Sequence, residues 1–121
     1  MKQVLQAVTL GFLLMGAARA DIAVSRSALG PMVTAPMLLS ACTQEDPGIH
    51  CDPYIAGVVD SIISNRGVFL GNRICIPPNT GPDTFRAVTV AFIRSHGELP
   101  QDAIAASEVA TAITEAFPCT G

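Results

Sequence analysis

The chain has 121 residues, half of them apolar, and a formal net charge of −3 at pH 7. That length provides for one domain around one core. The acidic balance excludes a protein built to hold nucleic acid or an anionic membrane surface, because phosphate binding needs a basic patch. It suits attraction to a basic protein surface instead.

Residues 1–20 read as a secretory leader. Met1-Lys2 is a short basic end, Val4 to Met15 is mostly apolar, and Ala18-Arg19-Ala20 fits the small-x-small pattern for cleavage after Ala20. The apolar run is too short to span a bilayer, which implies a cleaved signal and no membrane anchor. No Cys follows the cleavage point closely, as a lipoprotein would require. Removing those 20 residues leaves 101, starting at Asp21. Lys2 and Arg19 leave with them, so five basic residues, all Arg, face ten acidic ones, a net charge near −5.

Four cysteines in an exported chain of this size imply two disulfides. With no Trp and a single Tyr, the core must be built from small aliphatic side chains. It has to offset conformational entropy on the order of 100–200 kcal/mol, and cross-links help by constraining the unfolded chain.

In chain order, Asp21 to Val33 lacks a sustained period and contains Gly30-Pro31, which predicts a flexible N-terminal arm. Thr34 is an N-cap for a short helix through Cys42, with Pro36 in its first turn and Met37, Leu38 and Ala41 facing inward. Gln44 to His50 is a turn-rich acidic loop. A second helix starts with Asp52 as N-cap and Pro53 at the first position, and it carries Tyr54, Ile55, Val58, Val59, Ile62 and Ile63 as a wide apolar stripe. Gly57 inside it predicts close approach of another helix, and Asn65-Arg66-Gly67 ends it. Val68 to Pro78 reads as an ordered connector pinned by Cys75, too short for a sheet.

Thr80 and Asp83 form a capping-box-like start to a third helix. Its inner face carries Phe85, Val88, Phe92 and Ile93, and it ends near His96-Gly97. Pro100 and Asp102 open a fourth helix with Ile104, Ala105, Val109, Ala112, Ile113 and Phe117 on its apolar side, stopped by Pro118. The predicted fold is all-α: a small disulfide-stapled bundle of about four short helices over residues 34–121.

Little in the sequence points to catalysis. His50 and His96 lack ligand spacing with each other or with the cysteines, so neither a metal nor another cofactor is expected. No G-x-S-x-G surrounds any Ser, and oxidised cysteines supply no nucleophile. Asp60, set between inward-facing residues, is expected to be partly buried and hydrogen-bonded for stability. The chain reads as a non-enzyme.

Cys42 ends the first helix and Cys51 begins the second, so a Cys42–Cys51 bridge would staple the acidic loop. Cys75 follows the second helix and Cys119 the fourth, so Cys75–Cys119 would clamp the tail. Chain entropy assigns these roughly 2.5–3 and about 4 kcal/mol. The pairings 42–75 with 51–119 and 42–119 with 51–75 stay open at this point.

Four pieces in order resemble the Rap/Tai family of immunity proteins from bacterial type VI secretion. They are Leu38-Leu39-Ser40-Ala41-Cys42, then Cys51-Asp52-Pro53-Tyr54-Ile55-Ala56-Gly57-Val58, then Ile74-Cys75-Ile76-Pro77, and finally Ala116-Phe117-Pro118-Cys119. The stretch from Ser95 to Pro100 departs from the family's His-Pro-Glu type turn, with Gly97 where Pro stands. The resemblance implies a periplasmic helical protein, often a homodimer. Such a protein binds and blocks a peptidoglycan-cleaving amidase delivered by a sibling or neighbouring cell.

Two acidic segments are the candidate contact surfaces: Glu45 and Asp46 in one loop, and Glu98, Leu99 and Asp102 in the other. Leu99 is the apolar centre of the second, the kind of residue that dominates binding energy. The competing classes are a small periplasmic acid-stress chaperone, which ten carboxylates suit and the lack of Lys does not, and an orphan envelope protein.

Overall fold

The computed structural model describes residues 32–120. The leader expected over 1–20, and the expected arm as far as residue 31, lie outside them. Four helices and one small hairpin follow in order: α1 (Ala35–Cys42), α2 (Cys51–Ser64), β1 (Val68–Phe69), β2 (Asn72–Arg73), α3 (Pro82–Ser95) and α4 (Ala105–Ala116). Each helix packs against the other three. No described helix is long and apolar enough to cross a membrane.

α1 begins where Thr34 caps it, its Oγ1 accepting the Met37 amide at 3.4 Å. The N-termini of α1 and α4 lie side by side, since the Ala35 amide donates to Ala103 and the Ala105 amide to Val33, at 2.8 and 3.1 Å. An eight-residue helix buries only the narrow stripe of Ala35, Leu38 and Cys42. Met37, expected inward, is rotated off that stripe and is 57% exposed.

α2 starts two residues earlier than its proline suggests. His50 holds the cap position without a side-chain bond, and the amides of Cys51 and Asp52 both reach Pro47 O at 3.1 Å. Asp52 is therefore in the first turn and is not the cap. Ile55, Val59 and Ile62 are buried, Tyr54 and Val58 flank them half-buried, and Ile63 is turned outward. Asp60 is exposed, against expectation, because it lies across the helix from that buried line. Gly57 admits no close helix: a Cβ there would meet nothing within 4 Å.

After α2 the chain turns through Arg66 (φ 59°) and Gly67 (φ 64°), and the Gly67 amide returns to Ile62 O at 3.0 Å. Any side chain at position 67 would also put its Cβ 3.0 Å from the Ile74 carbonyl. The expected connector contains a hairpin: β1 and β2 pair antiparallel, Val68 opposite Arg73 and Phe69 opposite Asn72. Leu70 and Gly71 both take positive φ, the geometry of a two-residue turn that matches strand twist, so very few residues close a ladder. Ile74 then bridges Pro118, with the Cys75 amide donating to Phe117 O at 2.9 Å.

α3 has Gly81 at its cap position and Pro82 at its start. The expected Thr80–Asp83 box does not form: Thr80 Oγ1 donates to Pro77 O at 2.7 Å, and Asp83 pairs with Arg86. Thr89 and Ile93 are the buried residues, and Phe85 meets Phe117 edge-on with ring centroids 5.9 Å apart. Phe92 is only half-buried and lies against His96. α4 begins later than Pro100 and Asp102 indicate, because Pro100 to Ala103 form a turn closed at 3.0 Å. Ile104 is consequently outside the helix and 52% exposed, while Ala105, Val109, Ala110, Ala112 and Ile113 form the buried side.

Both favoured disulfides are present, Cys42–Cys51 and Cys75–Cys119, with Cα atoms 4.8 and 4.9 Å apart, and the described chain has no free cysteine. The other two pairings are thereby excluded.

Candidate functional site

Of the residues expected to contact a partner, Glu45 and Asp46 are exposed in the loop that the Cys42–Cys51 bridge closes. Glu98 and Asp102 are exposed between α3 and α4. Leu99 is half-buried, with one side in a depression of about 800 Å³ that Pro36 and Leu39 of α1 and Ile93 and Arg94 of α3 help to line. Glu98 and Leu99 share that depression; Asp102, Glu45 and Asp46 are outside its lining. The structure thus joins Glu98 with Leu99 and leaves the acidic α1–α2 loop as a separate surface.

The one ionic network among the described residues centres on Arg86. Its Nη1 donates to both carboxylate oxygens of Asp52 at 2.6 Å, and its Nη2 donates to Asp83 at 2.7 Å. The hydrogen bond to Asp52, followed by the attraction of both carboxylates, raises the guanidinium pKa above its ordinary value despite the opposing effect of burial. Asp52 sits in the first turn of α2 and Asp83 in that of α3, where a carboxylate also meets the positive end of the helix dipole. Chemically this is a clamp between two helix starts. It commits the two carboxylates to one cation.

An apolar groove of about 510 Å³ runs between α2 and α4, lined by Tyr54, Gly57, Val58, Phe69, Ala106 and Ala110 among others. Gly57 therefore keeps this surface open instead of admitting a neighbouring helix. Burial raises the Tyr54 pKa, while a hydrogen bond with the Ala106 backbone partly opposes the shift. Among the described residues no three His, Cys, Asp or Glu side chains converge as a metal site requires. His50 and His96 are both exposed, and His96 Nδ1 lies 2.8 Å from Phe92 O.

Sequence reasoning passed over the tip of the β1–β2 hairpin. Leu70 is 82% exposed there in a left-handed conformation, with Arg66 and Arg73 exposed on either side. Two signals were available: a Leu-Gly pair between short apolar and polar runs, and a stretch from Ser61 to Pro82 with no acidic residue.

The described residues form a helical bundle with two disulfide staples and exposed loops. A family model described as Rap1a immunity proteins matches residues 34–119. The chain belongs to the Rap1a immunity protein family. Membership implies a protein that binds a secreted toxin as its inhibitor and is not an enzyme. The match runs from the α1 cap to Cys119 and so takes in both disulfides, the four described helices and the hairpin. No curated protein and no solved structure matches the chain.

Proposed function

We propose that this Rap1a-family protein is exported to the periplasm through a leader cleaved after Ala20. There it blocks a peptidoglycan amidase delivered by the type VI secretion of sibling or neighbouring cells. The observation that carries this reading is the family match across the whole stapled domain. The two disulfides support export, since such bonds persist in oxidising compartments. An amidase cleft accepts a peptide, so an inhibitor has only to fill it or cover its mouth. The α3–α4 loop supplies one contact, with Leu99 as the apolar centre and Glu98 and Asp102 around it. Two copies pair across α2, whose apolar residues cover a wider arc than the buried line of Ile55, Val59 and Ile62.

The test uses oxidised protein, residues 21–121, immobilised and exposed to lysates of the source strain and its close relatives. One exported amidase should be retained and should lose its peptidoglycan-cleaving activity at a stoichiometric ratio. Retention of many unrelated unfolded proteins, only below about pH 4 where carboxylates protonate, would replace immunity with chaperone action. A monomer on gel filtration at working concentration would remove the paired arrangement.

A further inference from the structure

We propose that the β1–β2 hairpin is a second contact surface, built to insert Leu70 into an apolar pocket with an acidic rim on the toxin; this rests on the immunity reading above. Three independent observations meet there. The first is exposure: Leu70 is 82% exposed, the most exposed large apolar side chain from α1 onward, while its neighbour Phe69 is half-buried against the core and fixes the hairpin to the bundle.

The second is backbone strain. Three non-glycine residues in the described chain have positive φ, and two of them, Arg66 at 59° and Leu70 at 47°, are in this segment. A two-residue turn of this kind favours Asn, Asp or Gly at its first position. Leu there gains no packing in exchange, and such an outlier points to a role outside the fold. The turn is held nonetheless: Asn65 Nδ2 donates to Val68 O at 3.0 Å, Asn72 Nδ2 to Leu70 O at 3.4 Å, and the Ile74 amide to Gly67 O at 2.8 Å. Below that, the Cys75–Cys119 bridge ties the base to the chain end.

The third is charge. Arg66 and Arg73 are exposed and make no ion pair among the described residues, in a stretch of 22 residues, Ser61 to Pro82, without a carboxylate. An acidic domain therefore carries a local basic patch around its most prominent apolar side chain. Beside it Ile63, Ile76 and Arg66 line a depression of about 580 Å³, which gives the partner surface a place to seat against the hairpin base. A central apolar anchor with arginines at its edge is the usual make-up of the energetic centre of an interface. The charge complement of this patch is a carboxylate-bearing protein surface.

The deciding variant is Leu70→Asn. It puts Asn-Gly into the turn, the preferred pair for this geometry, so the fold should melt at the same temperature or higher. Affinity for the purified exported protein retained by the immobilised chain should fall by about 30-fold or more, the scale of an interface hot spot. Arg66→Asn with Arg73→Gln should also weaken binding, by a factor that shrinks as salt rises. Undiminished affinity of Leu70→Asn overturns the proposal. If the retained protein is not an amidase, the functional reading fails, and the effect of Leu70→Asn still decides the surface. If no protein is retained, both fall.

Discussion

Replacing both Cys75 and Cys119 by Ala tests how this small core is kept folded. The bridge closes a loop of sequence separation 44. The chain-entropy relation gives a loss of about 13 cal/mol/K, or about 4 kcal/mol at 25 °C. Little else is lost: Cys75 is exposed and Cys119 only half-buried, and the Cys75–Phe117 backbone bond needs no sulfur. In a domain of this size each kcal/mol moves the melting midpoint by about 4–8 °C, so a fall of roughly 15–30 °C is expected. Circular dichroism during heating measures it. Urea unfolding should also steepen, because an unlinked chain exposes more surface. A loss below about 1 kcal/mol with an unchanged slope would refute the entropic account and assign the clamp to the Ile74–Pro118 bridge. The Cys42–Cys51 pair is a poorer test: its shorter loop gives about 2.6 kcal/mol, but Cys51 is fully buried, so the truncation also opens the core.

Three further outcomes are expected. Thr89 is completely buried and its hydroxyl has no hydrogen-bond partner among the described residues, so Thr89→Val should raise stability by about 1 kcal/mol in urea unfolding; a loss instead would show that the hydroxyl is satisfied. Leu99→Ala should weaken toxin binding while the domain still unfolds cooperatively, and unchanged affinity would take the α3–α4 loop out of the interface. Tyr54 is the chain's one tyrosine, and its pKa is raised by burial. Absorbance at 295 nm should therefore show it ionising above the ordinary pH of about 10. Because the unfolded chain releases that proton first, stability from this group is complete below about pH 10 and is lost as pH rises through the folded pKa. Tyr54→Phe should flatten that decline.

The helices were legible because burial in this bundle follows the 3.6-residue period. Ile55, Val59 and Ile62 on α2, and Val109 and Ile113 on α4, are buried as their spacing indicates. The disulfides were legible as the pairing that links neighbouring ends. The failures have a common physical cause: polar groups that signal a helix start are taken by other partners. Asp52 has the character of a cap, but Arg86, 34 residues away, takes its carboxylate. Thr80 has the character of a capping box, but its hydroxyl finds Pro77 O first. Asp102 and Pro100 suggest a helix start, yet the chain must turn at 100–103 to lay Ala105 beside Val33. The hairpin was missed because two-residue strands have no period to read; only the turn chemistry at Leu70-Gly71 carried the information. The candidate contact residues were legible as exposed loops, but their division into separate surfaces depended on three-dimensional packing.

The positions of the staples suggest a purpose beyond stability. Cys42–Cys51 closes the loop that presents Glu45 and Asp46, and Cys75–Cys119 pins the base of the hairpin that presents Leu70. Each bridge thus lies directly beneath one of the proposed contact segments. A loop held before binding has less freedom to lose on binding, so fixing its base strengthens association without adding a contact. The two presented segments also differ in charge, acidic at 44–46 and basic at 66–73. A partner carrying the complementary pair of patches is held in one orientation, because the reversed pose sets like charges against each other. On this view the net acidity of the chain matters less than its distribution.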